Sequence, residues 1–122
     1  MRLILDRFKW QVDLRKKIMT HDLRLTTHPV LDVSMGGRKK IGITVDGKSL
    51  DVLEGEILAA ALWVSGFISL GHNPSDGSHR GMYCGIGHCY ECRVTLDGVE
   101  DVRSCLIRVR EGMRVALQRF KA

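Results

Sequence analysis

The sequence predicts an α+β domain, and three observations carry that prediction. Two strand–turn–strand patterns pivot on Asp46-Gly47 and Asp97-Gly98, an alanine-rich helical stretch lies between them, and a cysteine-dense loop follows the helix. In the first pattern Ile41, Ile43 and Val45 alternate with Gly42, Thr44 and Asp46, the period of a half-buried strand. Asp-Gly supplies a tight hairpin turn, and Leu50 and Val52 alternate beyond it in a second strand. Glu54 and Glu56 are expected to open the helix, because negative charge suits the positive end of its dipole. Ala59, Ala60 and Ala61 favour a helix over Glu56–Ser65, with Gly66 as its stop. Arg93–Leu96 and Val99–Arg103 flank the second Asp-Gly turn. Ile107 and Val109 then alternate with Arg108 and Arg110, and Met113–Leu117 is a last short strand. Hairpin, helix, cysteine loop, hairpin and closing strand suit a small mixed sheet packed on one main helix, the β-grasp arrangement.

A chain of 122 residues makes one domain with room for a tail, and an apolar content of 44% argues against disorder. Residues 1–37 are expected to be an N-terminal extension and 38–122 the folded domain. The extension mixes Arg2, Arg7, Lys9, Arg15, Lys16 and Lys17 with Leu5, Phe8, Val12, Leu14 and Ile18 in an irregular, uncapped stripe. A docking segment or loose tail fits it better than a targeting helix, and translation from Met19 rather than Met1 is an open alternative. Ser34-Met35-Gly36-Gly37 resembles a linker. The formal charge of +5 is spread among few aromatics, which argues against a nucleic-acid partner. No apolar run approaches the roughly 20 residues of a membrane span. Asp6, Arg7 and Lys9 interrupt any secretory apolar segment. The expected home is the reducing cytoplasm, where clustered cysteines point to metal or redox chemistry rather than structural disulfides.

The four cysteines are spaced Cys84-x4-Cys89-x2-Cys92-x12-Cys105, in a stretch that opens CGIGHCYEC. Three sulfurs come from one loop and the fourth from the end of the next hairpin. The first three match the C-x4-C-x2-C spacing of plant-type 2Fe–2S ferredoxins. Gly85 and Gly87 have a physical reason to be there: a short loop wrapped around a cluster needs conformations closed to bulky residues. Its amides then approach the sulfurs, stabilising the anionic cluster and raising its potential. A structural zinc site prefers two short C-x2–4-C knuckles and fits less well. A Rieske centre needs two histidine ligands, and no histidine lies two or three positions after a cysteine, so His79 and His88 are expected to be exposed loop residues. A thioredoxin-like Cys89-x-x-Cys92 pair should be followed by a helix, but Arg93-Val94-Thr95-Leu96 reads as a strand.

Residues 38–118 resemble the small 2Fe–2S ferredoxin-like subunits of multisubunit flavin-dependent amine and amino-acid dehydrogenases and oxidases. Opine oxidase, proline and hydroxyproline dehydrogenase and hydrogen cyanide synthase are such assemblies, and the N-terminal domain of the sarcosine oxidase alpha subunit is similar. HRGMYCGIGHCYECRVTLDGVEDVRSC carries the resemblance and REGMRV supports it. The short gap before Cys105 departs from the longer one of photosynthetic ferredoxins. The second cysteine-bearing domain of molybdenum hydroxylases has no counterpart.

The resemblance implies one 2Fe–2S cluster per chain on Cys84, Cys89, Cys92 and Cys105, with FAD or FMN held by partner flavoprotein subunits. The chain has no dinucleotide fingerprint, phosphate loop or nucleophile–base pair, so no activity is expected of it alone. The expected role is electron transfer from a partner's flavin. Four thiolates and an oxidised 2Fe–2S core carry about −2, which brings the holoprotein to about +3. A zinc-stabilised interaction module and a free-standing soluble ferredoxin are the alternatives. Met82, Tyr83 and Ile86 are candidates either to shield the cluster at an interface or to pack the loop onto its own domain. Arg108 and Arg110 are candidate rim contacts.

Overall fold

Strand β1 (Lys40–Val45) buries Ile41, Ile43 and Val45 and turns its alternate residues outward. It pairs antiparallel with β2 (Lys48–Leu53) around Asp46 and Gly47, whose φ angles of 50° and 79° are those of a primed hairpin turn. The second hairpin repeats the device: β5 (Arg93–Leu96) and β6 (Val99–Arg103) turn on Asp97 and Gly98, with φ of 48° and 84°. Strand β7 (Arg114–Ala116) lies between the hairpins, parallel to β1 and antiparallel to β5. Both turn aspartates hold the closing segment: Asp97 Oδ1 accepts the Arg114 N–H at 2.8 Å and Asp46 Oδ1 the Leu117 N–H at 2.9 Å. The resulting five-stranded mixed sheet has the order β2-β1-β7-β5-β6. The computed structural model describes residues 24–25, 27–33 and 37–118. The expected N-terminal stripe lies outside them, as does most of the Ser34–Gly37 linker.

Helix α1 (Leu58–Val64) buries Leu58, Ala59, Ala61 and Leu62. With the sheet, these residues form one apolar core that also includes Leu70, Val94, Val109, Met113, Val115, Cys92 and Cys105. The helix is shorter than expected, and no acidic residue sits in its first turn. Glu54 and Glu56 precede it, and tertiary contacts supply the start instead. Leu58 donates its N–H to Ile107 O at 2.7 Å, Val109 donates to Glu56 O at 2.8 Å, and Ile57 bridges antiparallel to Arg108. The alternation at Ile107–Arg110 therefore belongs to an isolated bridge against the helix entry rather than to a sheet strand. Gly66 does stop the helix: at φ 94° it donates to Trp63 O while Phe67 donates to Leu62 O, a Schellman closure.

A feature without a sequence signal is the two-stranded ribbon of β3 (Gly71–His72) and β4 (His79–Arg80) between helix and cysteine loop. Gly71 also bridges Gln118. The ribbon thus joins the chain entering the loop to the end of the closing segment. Among the described residues, no helix is long and apolar enough to cross a membrane.

Candidate metal centre

The loop between β4 and β5 carries Cys84, Cys89 and Cys92, and a 3-10 turn (Ser104–Leu106) after β6 carries Cys105. This turn packs against α1, which fixes the fourth cysteine to the core. All four are free thiols; Cys84 and Cys89 are half-buried, and Cys92 and Cys105 are buried. Ser104 seats the turn under Cys92: its fully buried hydroxyl donates to Cys92 O at 2.7 Å and its N–H to the same oxygen at 3.3 Å.

The loop backbone points its donors at sulfur. The N–H groups of Ile86, His88 and Cys89 each lie 3.4 Å from Cys84 Sγ, and that of Glu91 lies 3.4 Å from Cys89 Sγ. Successive inward amides of this kind form an anion-binding nest, which needs alternating backbone handedness. Gly85 and Gly87 supply it with φ of 68° and 81°, and Tyr90 adopts a φ of 60°. Hydrogen bonds from Ile86, Cys89 and His88 draw the Cys84 thiol down to about 6, against a small opposing effect of burial. The Cys105 thiol shifts upward, first through burial and then through its hydrogen bond with Cys92, while the Gly87 N–H pulls the other way.

Backbone contacts sort the cysteines into two neighbouring pairs. The Cys89 N–H lies 3.4 Å from Cys84 Sγ, and Ser104, next to Cys105 in the chain, donates to Cys92 O at 2.7 Å. Among the described residues no group of three or more His, Cys, Asp or Glu side chains is placed to hold a single metal ion. Two thiolates per iron is the distribution a 2Fe–2S centre takes. Four free cysteines, amides aimed at sulfur and a loop that turns on two positive-φ glycines fit that group.

Other anticipated residues are dispersed. His88 is exposed and contributes its backbone N–H. His79 is exposed but lies on β4 rather than in a loop, 2.8 Å from Ser69 Oγ through Nδ1, with its ring centre 4.4 Å from that of His72 and tilted 54° to it. Met82 packs against the core, whereas Tyr83 and Ile86 are 86% and 67% exposed beside the cysteines. Arg108 and Arg110 are exposed, and Arg108 donates to Gly55 O at 2.8 Å. The segment Arg93–Leu96 after Cys92 is a strand, as the argument against a thioredoxin-like site requires.

Three neighbours of the site escaped sequence reasoning. Arg103 donates to Gly87 O at 2.7 Å and places its guanidinium 4.5 Å from the Tyr90 ring centre. Leu106 covers Gly87 so closely that a methyl group there would meet its Cδ1 at 2.9 Å. Arg80 is only 3% exposed and donates to Glu91 O at 3.3 Å and to Gln118 Oε1 at 3.0 Å. Burial, and then the charge of Arg93, lowers its pKa. Arg103 had one available signal, a cation two positions before the fourth cysteine; Arg80 had none.

Hydrogen cyanide synthase subunit HcnA of Pseudomonas aeruginosa is 33% identical over 84 residues, covering 69% of this chain and 80% of its own. The HcnA subunit of Pseudomonas protegens is 32% identical over 73 residues, 60% of this chain and 69% of that one. The crystal structure of L-proline dehydrogenase from P. horikoshii superposes with a TM-score of 0.60 at 27% identity; the match takes in 78% of this chain and 19% of that one. The family model described as a 2Fe-2S iron-sulfur cluster binding domain matches residues 38–119. With β-grasp topology, four free cysteines and an amide-lined loop already in place, that match over most of the chain establishes that this protein belongs to the 2Fe–2S iron–sulfur cluster binding domain family.

Proposed function

We propose that Cys84, Cys89, Cys92 and Cys105 hold one 2Fe–2S cluster, and that the chain relays electrons from a flavin in partner subunits of an amine or amino-acid dehydrogenase or oxidase. The observation that carries this reading is the convergence of three backbone N–H groups on Cys84 Sγ, with Cys92 and Cys105 as buried free thiols. When bound, such a cluster accepts and returns one electron at a time, whereas a reduced flavin holds two. The chain's own residues supply the holding and the tuning. Cys92 and Cys105 anchor one side to the core, the Cys84–Cys89 loop presents the other side outward, and the loop amides offset negative charge.

Tyr83 and Ile86, exposed beside the cysteines, would cover this side against a flavoprotein partner, with Arg108 and Arg110 at the rim. Residues 38–122 would form the electron-carrying domain and 1–37 its extension, in the cytoplasm. The relationship to hydrogen cyanide synthase subunits supports a place in a multisubunit flavin-dependent enzyme.

The test is co-expression with and without flavoprotein subunits, iron and sulfide analysis, and EPR after substrate addition. Two irons and two sulfides per chain are expected, with reduction by substrate only in the reconstituted complex. Colourless protein carrying zinc, or no reduction in the complex, would overturn the reading.

A further inference from the structure

Gly87 lies in the loop between Cys84 and Cys89. The next N–H along the chain, that of His88, is 3.4 Å from Cys84 Sγ. The His88 N–H and the Gly87 carbonyl belong to one peptide unit, and no peptide bond among the described residues is cis. The two groups therefore point in opposite directions across that unit. On the carbonyl side stands Arg103, with Nη1 2.7 Å from the oxygen.

Resting on these cysteines being cluster ligands, we infer that Arg103 is a positioning residue that raises the electron affinity of the cluster by polarising the Gly87–His88 peptide. A guanidinium bound to a carbonyl oxygen is a charge-assisted donor, about twice as strong as a neutral one. It draws electron density toward the oxygen and makes the N–H at the far end a stronger donor, the mutual polarisation expected of linked hydrogen bonds. That N–H faces sulfur. Hydrogen bonds to cluster sulfurs are among the factors that set reduction potential, and they favour the more negative, reduced state. The fixed positive charge adds in the same direction.

Arg103 is built to hold this pose. Its backbone lies on β6 opposite Arg93, and its guanidinium lies over the Tyr90 ring, 4.5 Å from its centre. The accepted electron breaks no bond and needs no proton from Arg103.

The experiment is an EPR-monitored redox titration of the purified holoprotein and of Arg103→Lys, Arg103→Gln and Arg103→Met, with iron, sulfide and thermal midpoint measured on each. At the wild-type midpoint, Arg103→Met should lower the ratio of reduced to oxidised cluster about tenfold, equivalent to about 59 mV for one electron. Arg103→Gln, which keeps a donor but no charge, should fall between Met and Lys, with Lys nearest wild type. Cluster-loaded variants sharing the wild-type midpoint would overturn the inference and leave the cluster assignment standing. So would loss of the cluster from all three variants, which would make Arg103 purely structural. Wild-type protein without a 2Fe–2S signal would overturn the assignment, and the inference with it.

Discussion

Arg24 grips Glu56 with both teeth of its guanidinium: Nε lies 2.6 Å from Oε1 and Nη2 2.7 Å from Oε2. Only about a tenth of either side chain is exposed (10% and 11%), so the pair joins residues upstream of β1 to the entry of α1 from a sheltered position. The same carboxylate accepts the Leu53 N–H at 3.1 Å, closing the turn from β2 into the helix. Glu56 is thus a junction residue rather than the helix opener its charge implied.

This junction should respond to acid. Burial pushes the Glu56 carboxyl up, but the Arg24 and Leu53 hydrogen bonds and the charges of Arg24 and Arg38 outweigh it, leaving the group below its ordinary 4.5. A carboxylate whose folded pKa is depressed stabilises fully above its unfolded value and loses that contribution as pH falls through the folded one. A double-mutant cycle of Arg24→Met and Glu56→Gln should give a coupling of roughly 1 kcal/mol at pH 7, the upper range for bidentate pairs near a surface. Denaturant titrations should show it steady down to about pH 5 and shrinking below 4.5. A coupling that does not vary with pH would contradict the assignment.

Gly85 and Gly87 should fail differently when replaced. Both have positive φ, so alanine costs roughly 1–2 kcal/mol in backbone strain at either position. At Gly85 the nearest atom to a new methyl is Met82 Sδ at 3.9 Å, whereas at Gly87 the methyl meets Leu106 Cδ1 at 2.9 Å. Gly87→Ala should therefore lose more iron and sulfide per chain than Gly85→Ala. Adding Leu106→Ala should recover part of the loss for Gly87→Ala and none for Gly85→Ala. Equal rescue at both positions would refute the contact argument.

Serine at the four cysteines should separate binding from folding. Each replacement should reduce cluster retention, since each removes one thiolate. Cys92 and Cys105 are 2% and 5% exposed within the apolar core, so a hydroxyl there should also destabilise the cluster-free chain by roughly 1–3 kcal/mol. Cys84 and Cys89 lie nearer solvent, and their serine variants should unfold like the cluster-free parent. Urea midpoints of the cluster-free proteins check this; four equal midpoints would refute the division.

What the sequence made legible were features written in local chemistry. Asp46-Gly47 and Asp97-Gly98 turn where their φ preferences say, Ile41, Ile43 and Val45 face inward by simple alternation, and Gly66 closes the helix. The cysteine loop stood out because its spacing and glycines serve one compact geometry. The unread features are those made by distant partners. Ile57 replaces a side-chain cap because Ile107 arrives from fifty residues away, and buried Arg80 depends on Glu91 and Gln118, which take hydrogens from Nη1 and Nη2. The β3–β4 ribbon has no apolar alternation, since its two-residue strands are held by Leu70, Arg80 and Gln118 backbone groups.

Gly71 in that ribbon and Gly81 just after it supply the last prediction, because backbone approaches each closely and neither makes a positive-φ turn. A methyl on Gly81 would run into the carbonyl oxygen of Ile68, and one on Gly71 would lie 2.6 Å from the carbonyl oxygen of Gln118. At Gly71 the Arg80 Nη2 also lies 2.5 Å away, but the carbonyl at each site is backbone, so relief requires the backbone to move. The Leu70 N–H donates to Arg80 O at 2.7 Å, and the Gln118 N–H to Leu70 O at 3.0 Å, so that movement would strain the ribbon. Gly55→Ala is the control: its φ is 80°, but open space surrounds the new methyl, leaving only backbone strain of roughly 1–2 kcal/mol. Gly81→Ala should cost about 2–3 kcal/mol through overpacking. A loss of that size lowers the thermal midpoint by on the order of 10 °C in a domain this small. Because Gly81 leads directly into the cysteine loop, Gly81→Ala should also retain less iron than Gly55→Ala at matched temperatures below both transitions. Thermal melts and iron analysis of the two variants decide the matter; a Gly81→Ala protein as stable and as iron-rich as Gly55→Ala would show that the ribbon does not constrain the loop.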